Sequence, residues 1–221
     1  MTEDTRLAKM FGHITTILKV LIVIMAFKAV FDGVQVWIYS GIFCIFFAMV
    51  PTLLRRYADI NIPWKLEFLL FLALFLHVGG GAMGLYNVFW SWDMVTHFVS
   101  TFMLALIGFI MFFIVNERLG LVQLNTRKII LLTLIIAMSL GLIWEGMEIA
   151  ADMLVDLRAA DDINDTMLDL VMDAVGGTVA ALLAVRWHRD GTLHRMSSEF
   201  GSGLDGLFNW LASIKRRPIS Q

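Results

Sequence analysis

The sequence predicts an all-α protein, a polytopic transmembrane helical bundle of six spans with both termini inside, and three observations carry that prediction. Hydrophobic residues fill 59% of the 221 positions, charged residues only 16%, and mean hydropathy is +0.78. Soluble domains hold roughly 45–50% apolar and about 25% charged residues, so lipid is the expected solvent. The apolar residues also collect in six stretches, and lysine and arginine collect in every second connection between them.

A bilayer core about 30 Å thick requires roughly 20 apolar residues of helix. The first stretch, Ile14 to Phe31, follows Arg6 and Lys9 and has no small-residue cleavage site after it, so it is expected to be a retained anchor rather than a signal peptide. The second runs from Val34 to Leu54, the third from Leu66 to Tyr86, the fourth from Asp93 to Val115, the fifth from Ile129 to Ala151 and the sixth from Thr166 to Trp187. Arg55, Arg56 and Lys65 lie between the second and third, and Arg118, Arg127 and Lys128 between the fourth and fifth. Arg186, Arg189 and Arg195 follow the sixth. The other connections hold Asp32, then no charge, then an acidic stretch from Asp152 to Asp165 with Arg158 alone. Cytoplasmic loops retain positive charge, which places both ends of the chain inside.

Residues 1–190 are thus read as the bundle and residues 191–221 as a cytoplasmic tail. In that tail Leu204, Leu207, Phe208, Leu211 and Ile214 recur at helical spacing before Lys215, Arg216 and Arg217, the pattern of either a short interfacial helix or a frayed end. The bilayer is the certain partner. Nucleic acid is excluded by a net charge of −2 with no basic excess. The single cysteine, Cys44, cannot form an intramolecular disulfide and reads as a small apolar residue.

The chemistry lies in three stripes. Residues four apart share a helix face. On the fourth span Asp93 and His97 lead down to Ser100, Thr101, Ala105 and Gly108. On the fifth, Ala137 and Gly141 lead up to Glu145, Glu148 and Asp152, with Trp144 beside them. On the sixth, Asp165, Asp169 and Asp173 lead down to Gly176, Gly177, Ala180 and Ala184. Small residues let helices approach closely, so these faces are expected to pack together and to gather the acids near the extracytoplasmic end.

Ionisable residues in a membrane cost a few kcal/mol each on insertion scales and face the bundle interior. Asp93, Glu145, Glu148, Asp169 and Asp173 have at most His97, His77 and Lys28 to offset them. Protons or a bound cation must supply the rest. Carboxylates with one imidazole suit a divalent cation such as Zn²⁺, Mg²⁺, Mn²⁺ or Ca²⁺. His97, Glu148, Asp169 and Asp173 are the expected ligands, Glu145 the base or an outer partner, and Asp93 the group that orients His97. Such a centre would activate water, or polarise an ester or phosphoryl oxygen, on a lipid-like or envelope-precursor substrate entering from the outer leaflet. Two other classes use the same residues: a cation- or proton-coupled transporter, and a non-catalytic accessory protein whose polar cluster holds helices together.

Several of these residues also have simpler structural readings. Asp93 and Asp165 stand where helix N-caps belong, and Asp156, Asp161 and Asp162 read as a solvated loop. Lys19 is expected to snorkel to the inner surface, while Lys28 either snorkels outward or pairs with the acids. Gly79, Gly80 and Gly81, just after His77, mark close packing or a break in the third span.

Trp92-Asp93-x-x-x-His97-Phe98, Trp144-Glu145-x-x-Glu148 and Asp165-Thr166-Met167-x-Asp169-Leu170-x-x-Asp173-x-x-Gly176 together resemble the YjdF-like family of uncharacterised bacterial inner-membrane proteins, over roughly Arg55 to Ala184. A more distant likeness is to VanZ-like proteins, associated with glycopeptide resistance, which share the Asp-x-x-x-His-Phe start. The chain departs from that pattern at Glu148 and Asp173, where amides are expected. The resemblance implies a membrane bundle with this site in a bacterial cytoplasmic (inner) membrane, and names no reaction.

Overall fold

The computed structural model describes residues 3–58, 62–155 and 163–198. Their regular elements are helices: α1 Glu3–Asp32, α2 Gln35–Ala58, α3 Trp64–Ala82, α4 Leu85–Val88, α5 Trp92–Leu119, α6 Thr126–Val155 and α7 Ile163–Arg189. All but the four-residue α4 are long and apolar enough to cross a membrane. The protein is therefore an all-α, multi-pass bundle. Helices satisfy their own backbone groups, which is why lipid permits them and forbids open strands. Within that scheme the helix ends are set by left-handed glycines that L side chains rarely match. Gly120 (φ 62°) closes α5 with its N–H on the Asn116 carbonyl, while the Asn116 side chain bonds both backbone groups of Val122 at 3.0 and 2.7 Å.

The helices form two groups of three. α1 packs on α2 and α3 around Ile22, Phe71 and Val78, and α7 packs on α5 and α6 around Phe109, Ala137 and Ala180. α3 joins the groups through α5. Lipid removes most of the hydrophobic drive between helices, so close van der Waals fit must replace it. The small-residue stripes supply that fit. A Cβ on Gly176 would stand 2.6 Å from the Phe98 carbonyl oxygen, and one on Gly177 would overlap the Ala137 methyl.

The structure decides several local readings. The third span ends at Ala82, and Tyr86 belongs to α4, because Gly84 turns the chain with φ 71°. Gly79 to Gly81 do not break α3; Trp37 lies against Gly81, and Trp92 and Tyr86 against Gly80, where any side chain would collide. Neither Asp93 nor Asp165 is an N-cap, since α5 begins after Ser91 and α7 is already helical at Ile163, each carrying its acid in the first turn. Lys19 is partly exposed, and its ammonium bonds Glu67 of α3 at 2.7 Å and lies 4.5 Å above the Phe71 ring. That pairing joins α1 to α3 at lower cost than a lone charge in lipid. Lys28 pairs with Asp32 on its own helix at 2.5 Å. Cys44 is buried, as its reading as a small apolar residue requires. The acidic loop at 156–162 and the amphipathic tail at 204–217 lie outside the described residues.

Candidate metal centre

Three helix ends meet where α5 begins, α6 finishes and α7 begins. His97 is at the centre, one turn into α5 and only 8% exposed. Its two ring nitrogens face different helices. Nδ1 is 3.3 Å from Asp173 Oδ1 on α7, and Nε2 is 3.6 Å from Asp93 Oδ1 and 3.8 Å from Glu145 Oε1 on α6.

Each contact follows from local sequence. Asp93 and His97 are four apart, so α5 stacks them on one face. Thr101, four residues further, donates its hydroxyl to Asp173 Oδ1 at 2.5 Å. Asp173 is fully buried, and its other oxygen lies against Gly141, where a Cβ would occupy the carboxylate's own space. Gly141 on α6 thus determines how closely α7 can bring its acid. Asp169, one turn outward from Asp173, is 3% exposed.

Asp93, His97 and Asp169 each offer one ligand atom, all within 4.8 Å of one another. The surrounding lone pairs are not all satisfied. Asp169 Oδ1, Asp173 Oδ2 and Glu145 Oε1 are buried without a hydrogen-bond partner. Native proteins leave few buried polar atoms in that condition, and each such atom calls for a proton, water or ion. Hard oxygen donors converging beside one imidazole are the donor set of a divalent cation.

The structure brings together five of the six residues singled out from sequence: Asp93, His97, Glu145, Asp169 and Asp173. Glu148 is set differently. Its Oε1 accepts the indole N–H of Trp144 at 2.9 Å on its own helix, and it is not in the three-residue group. Asp93 and Asp173 also exchange positions relative to expectation. Asp93 lies by Nε2 with the ligand-capable group, while Asp173 lies behind the ring at Nδ1. Two functional candidates were missed in the sequence. Tyr86 and Thr96 connect to Asp93 through hydrogen bonds. Thr96 carries no spacing signal beyond lying on the right helix, and Tyr86 depends on a turn the hydropathy pattern does not show.

The family model described as "Predicted membrane protein (DUF2238)" matches residues 13–190, which include every residue of this centre. The chain belongs to that family. A relative in Thermotoga maritima, described as an uncharacterized protein, is 24% identical over 173 residues, covering 76% of this chain and 88% of its own. No solved structure matches the chain. Membership in DUF2238 agrees with the six apolar helices and leaves the chemistry to be argued from the residues.

Proposed function

We propose that this DUF2238 protein is a metal-dependent membrane enzyme of the bacterial inner membrane, with its centre at the extracytoplasmic end. The observation that carries the reading is the approach of Asp93, His97 and Asp169 within 4.8 Å while Asp169 Oδ1 remains buried and unpartnered. His97 Nε2, Asp93 and Asp169 would be the ligands, leaving positions open as catalytic sites do. Asp173 would take the Nδ1 proton, the carboxylate–histidine arrangement that fixes a ligand's tautomer and orientation. Thr101, donating to the same oxygen, holds Asp173 in place.

A divalent ion there, Zn²⁺ or Mn²⁺ in preference to Mg²⁺ or Ca²⁺ because of the imidazole, would polarise an ester or phosphoryl oxygen and activate water. Glu145, with Oε1 3.8 Å from Nε2 and no hydrogen-bond partner on that oxygen, is the residue to accept a proton from the attacking water. Glu148 stands one turn further out on α6, oriented by Trp144, as an additional carboxylate at the mouth. The substrate class this location supports is a lipid or envelope precursor presented by the outer leaflet. The three-motif resemblance to YjdF-like proteins supports the assignment of the centre rather than of the substrate. The continuity of α3 through its glycines favours an enzyme over a carrier, since transporter sites use interrupted helices near the midplane.

Elemental analysis of the purified protein after dialysis, with Co²⁺ titration of the same sample, tests the reading. Wild type is expected to retain close to one ion per chain and His97→Ala to lose it. Metal-free wild type that also fails to take up Co²⁺ would end this proposal.

A further inference from the structure

Beside the centre lies a histidine that none of the chemistry above uses. His77, in the last turns of α3, is surrounded by Trp37 of α2, Tyr86 of α4 and Trp144 of α6, with ring centroids at 5.9, 6.2 and 5.3 Å. Its Nδ1 is 3.1 Å from the Tyr86 hydroxyl, that hydroxyl is 3.3 Å from Thr96 Oγ1, and Thr96 Oγ1 is 3.2 Å from Asp93 Oδ1. Asp93 Oδ1 is the same atom that stands 3.6 Å from His97 Nε2.

The direction of the chain follows from the number of protons available. Thr96 has one hydroxyl proton, which it shares between the Asp93 carbonyl at 2.8 Å and the Asp93 carboxylate. Its oxygen therefore accepts from Tyr86. Tyr86 also has one proton, now committed to Thr96, so its oxygen must accept from His77 Nδ1–H. His77 Nε2 then carries only a lone pair, which agrees with its being buried and unpartnered. Every link donates toward Asp93.

The surrounding structure serves this chain. α4 has no buried residue of its own, and Gly84 in the left-handed conformation is what turns Tyr86 back between α3 and α5. Gly80 leaves the space that Tyr86 and Trp92 fill, and Trp92 donates to the Leu76 carbonyl at 3.3 Å, fixing the start of α5 against α3.

We propose that His77 and Tyr86 are positioning residues, which act through Thr96 to hold the Asp93 carboxylate in its ligand orientation. The inference rests on the metal reading and adds an outer arm on the Asp93 side opposite the Asp173 arm. Outer hydrogen-bond partners of metal ligands typically change affinity by roughly 10–100-fold when removed.

The test is Co²⁺ titration followed by visible absorbance, with the melting temperature recorded on each apo sample. Tyr86→Phe, which removes one oxygen and keeps the ring, is expected to weaken Co²⁺ binding about tenfold or more and to alter the ligand-field bands, with little change in the apo melting temperature. His77→Ala should weaken binding to a similar degree, and the double variant no further, since both cut one chain. His77→Asn, whose amide N–H can stand in place of Nδ1–H, should restore most of the affinity. Unchanged affinity in Tyr86→Phe while wild type binds Co²⁺ overturns this proposal alone. Additive losses in the double variant, or losses that track melting temperature across the series, also overturn it. Wild type that binds no Co²⁺ overturns both this inference and the metal reading.

Discussion

The imidazole of His97 illustrates how much depends on which atom faces which neighbour. With Nδ1 toward Asp173 and Nε2 toward Asp93 and Glu145, the two acids of α5 and α7 cannot play the same part. If Asp173 acts from behind the ring, Asp173→Asn keeps an acceptor for Nδ1–H and should weaken metal binding roughly 10–100-fold. Asp169→Asn, losing a ligand oxygen, should abolish it. Equal losses in a Co²⁺ titration of the two variants would show that Asp173 is itself a ligand, as the spacing of the stripe alone suggests. Thr101 was legible as part of that stripe, but its 2.5 Å bond to Asp173 was not, because spacing places a residue on a face without giving its rotamer.

The small-residue stripes act at the scale of whole helices. They predicted which faces of α5, α6 and α7 pack together, and the burial of Ala105, Ala137, Gly176, Gly177, Ala180 and Ala184 agrees. Periodicity could find them because a close helix contact requires small residues about every turn. The contrast with a glycine off the stripes is sharp. Gly176 faces backbone of α5, where an added methyl would stand 2.6 Å from the Phe98 carbonyl oxygen and 3.1 Å from the Phe102 nitrogen, whereas Gly146, off the stripe on α6, has open space around it. Gly176→Ala is therefore expected to destabilise by about 1–3 kcal/mol through overpacking. Gly146→Ala should be neutral or stabilising by up to about 1 kcal/mol, since alanine is the better helix former. Thermal or denaturant unfolding in one detergent compares them directly, and a larger loss for Gly146→Ala would refute the packing argument. Tyr86 illustrates the opposite limit. Its apolar neighbours extend the third hydropathy stretch past Ala82, and only the turn at Gly84 removes it from that helix.

Taken whole, the molecule places the acids around His97 at one end and most of its basic connections at the other. Arg118, Arg127, Lys128, Arg186 and Arg189 lie where α5 ends, α6 begins and α7 ends, away from His97. Arg189 donates to Thr126 at 3.3 Å, and His194 bonds Glu117, so the same end is also tied together. The loop charges predict that end in the cytoplasm and the proposed metal centre outside. Reporter fusions at residue 198 and in the loop at 120–125 should both report cytoplasmic, and a cysteine at Asn87, exposed on α4, should react with an impermeant thiol reagent added to intact spheroplasts. The reverse pattern would place the centre on the cytoplasmic side and remove the outer-leaflet substrate.

By itself the sequence determined the solvent, the six spans, the faces that pack and, Glu148 apart, the acids that gather around His97. These follow from composition and periodicity along one chain, and both are properties of a single helix. Only the tertiary structure decided that Asp93 rather than Glu148 joins the ligand-capable group, that Asp173 stands behind the ring, and that His77 reaches the centre through Tyr86. Those outcomes depend on how separate helices are rotated and offset against one another. A shift of one residue turns a helix by about 100° and advances it about 1.5 Å, enough to exchange one carboxylate for its neighbour.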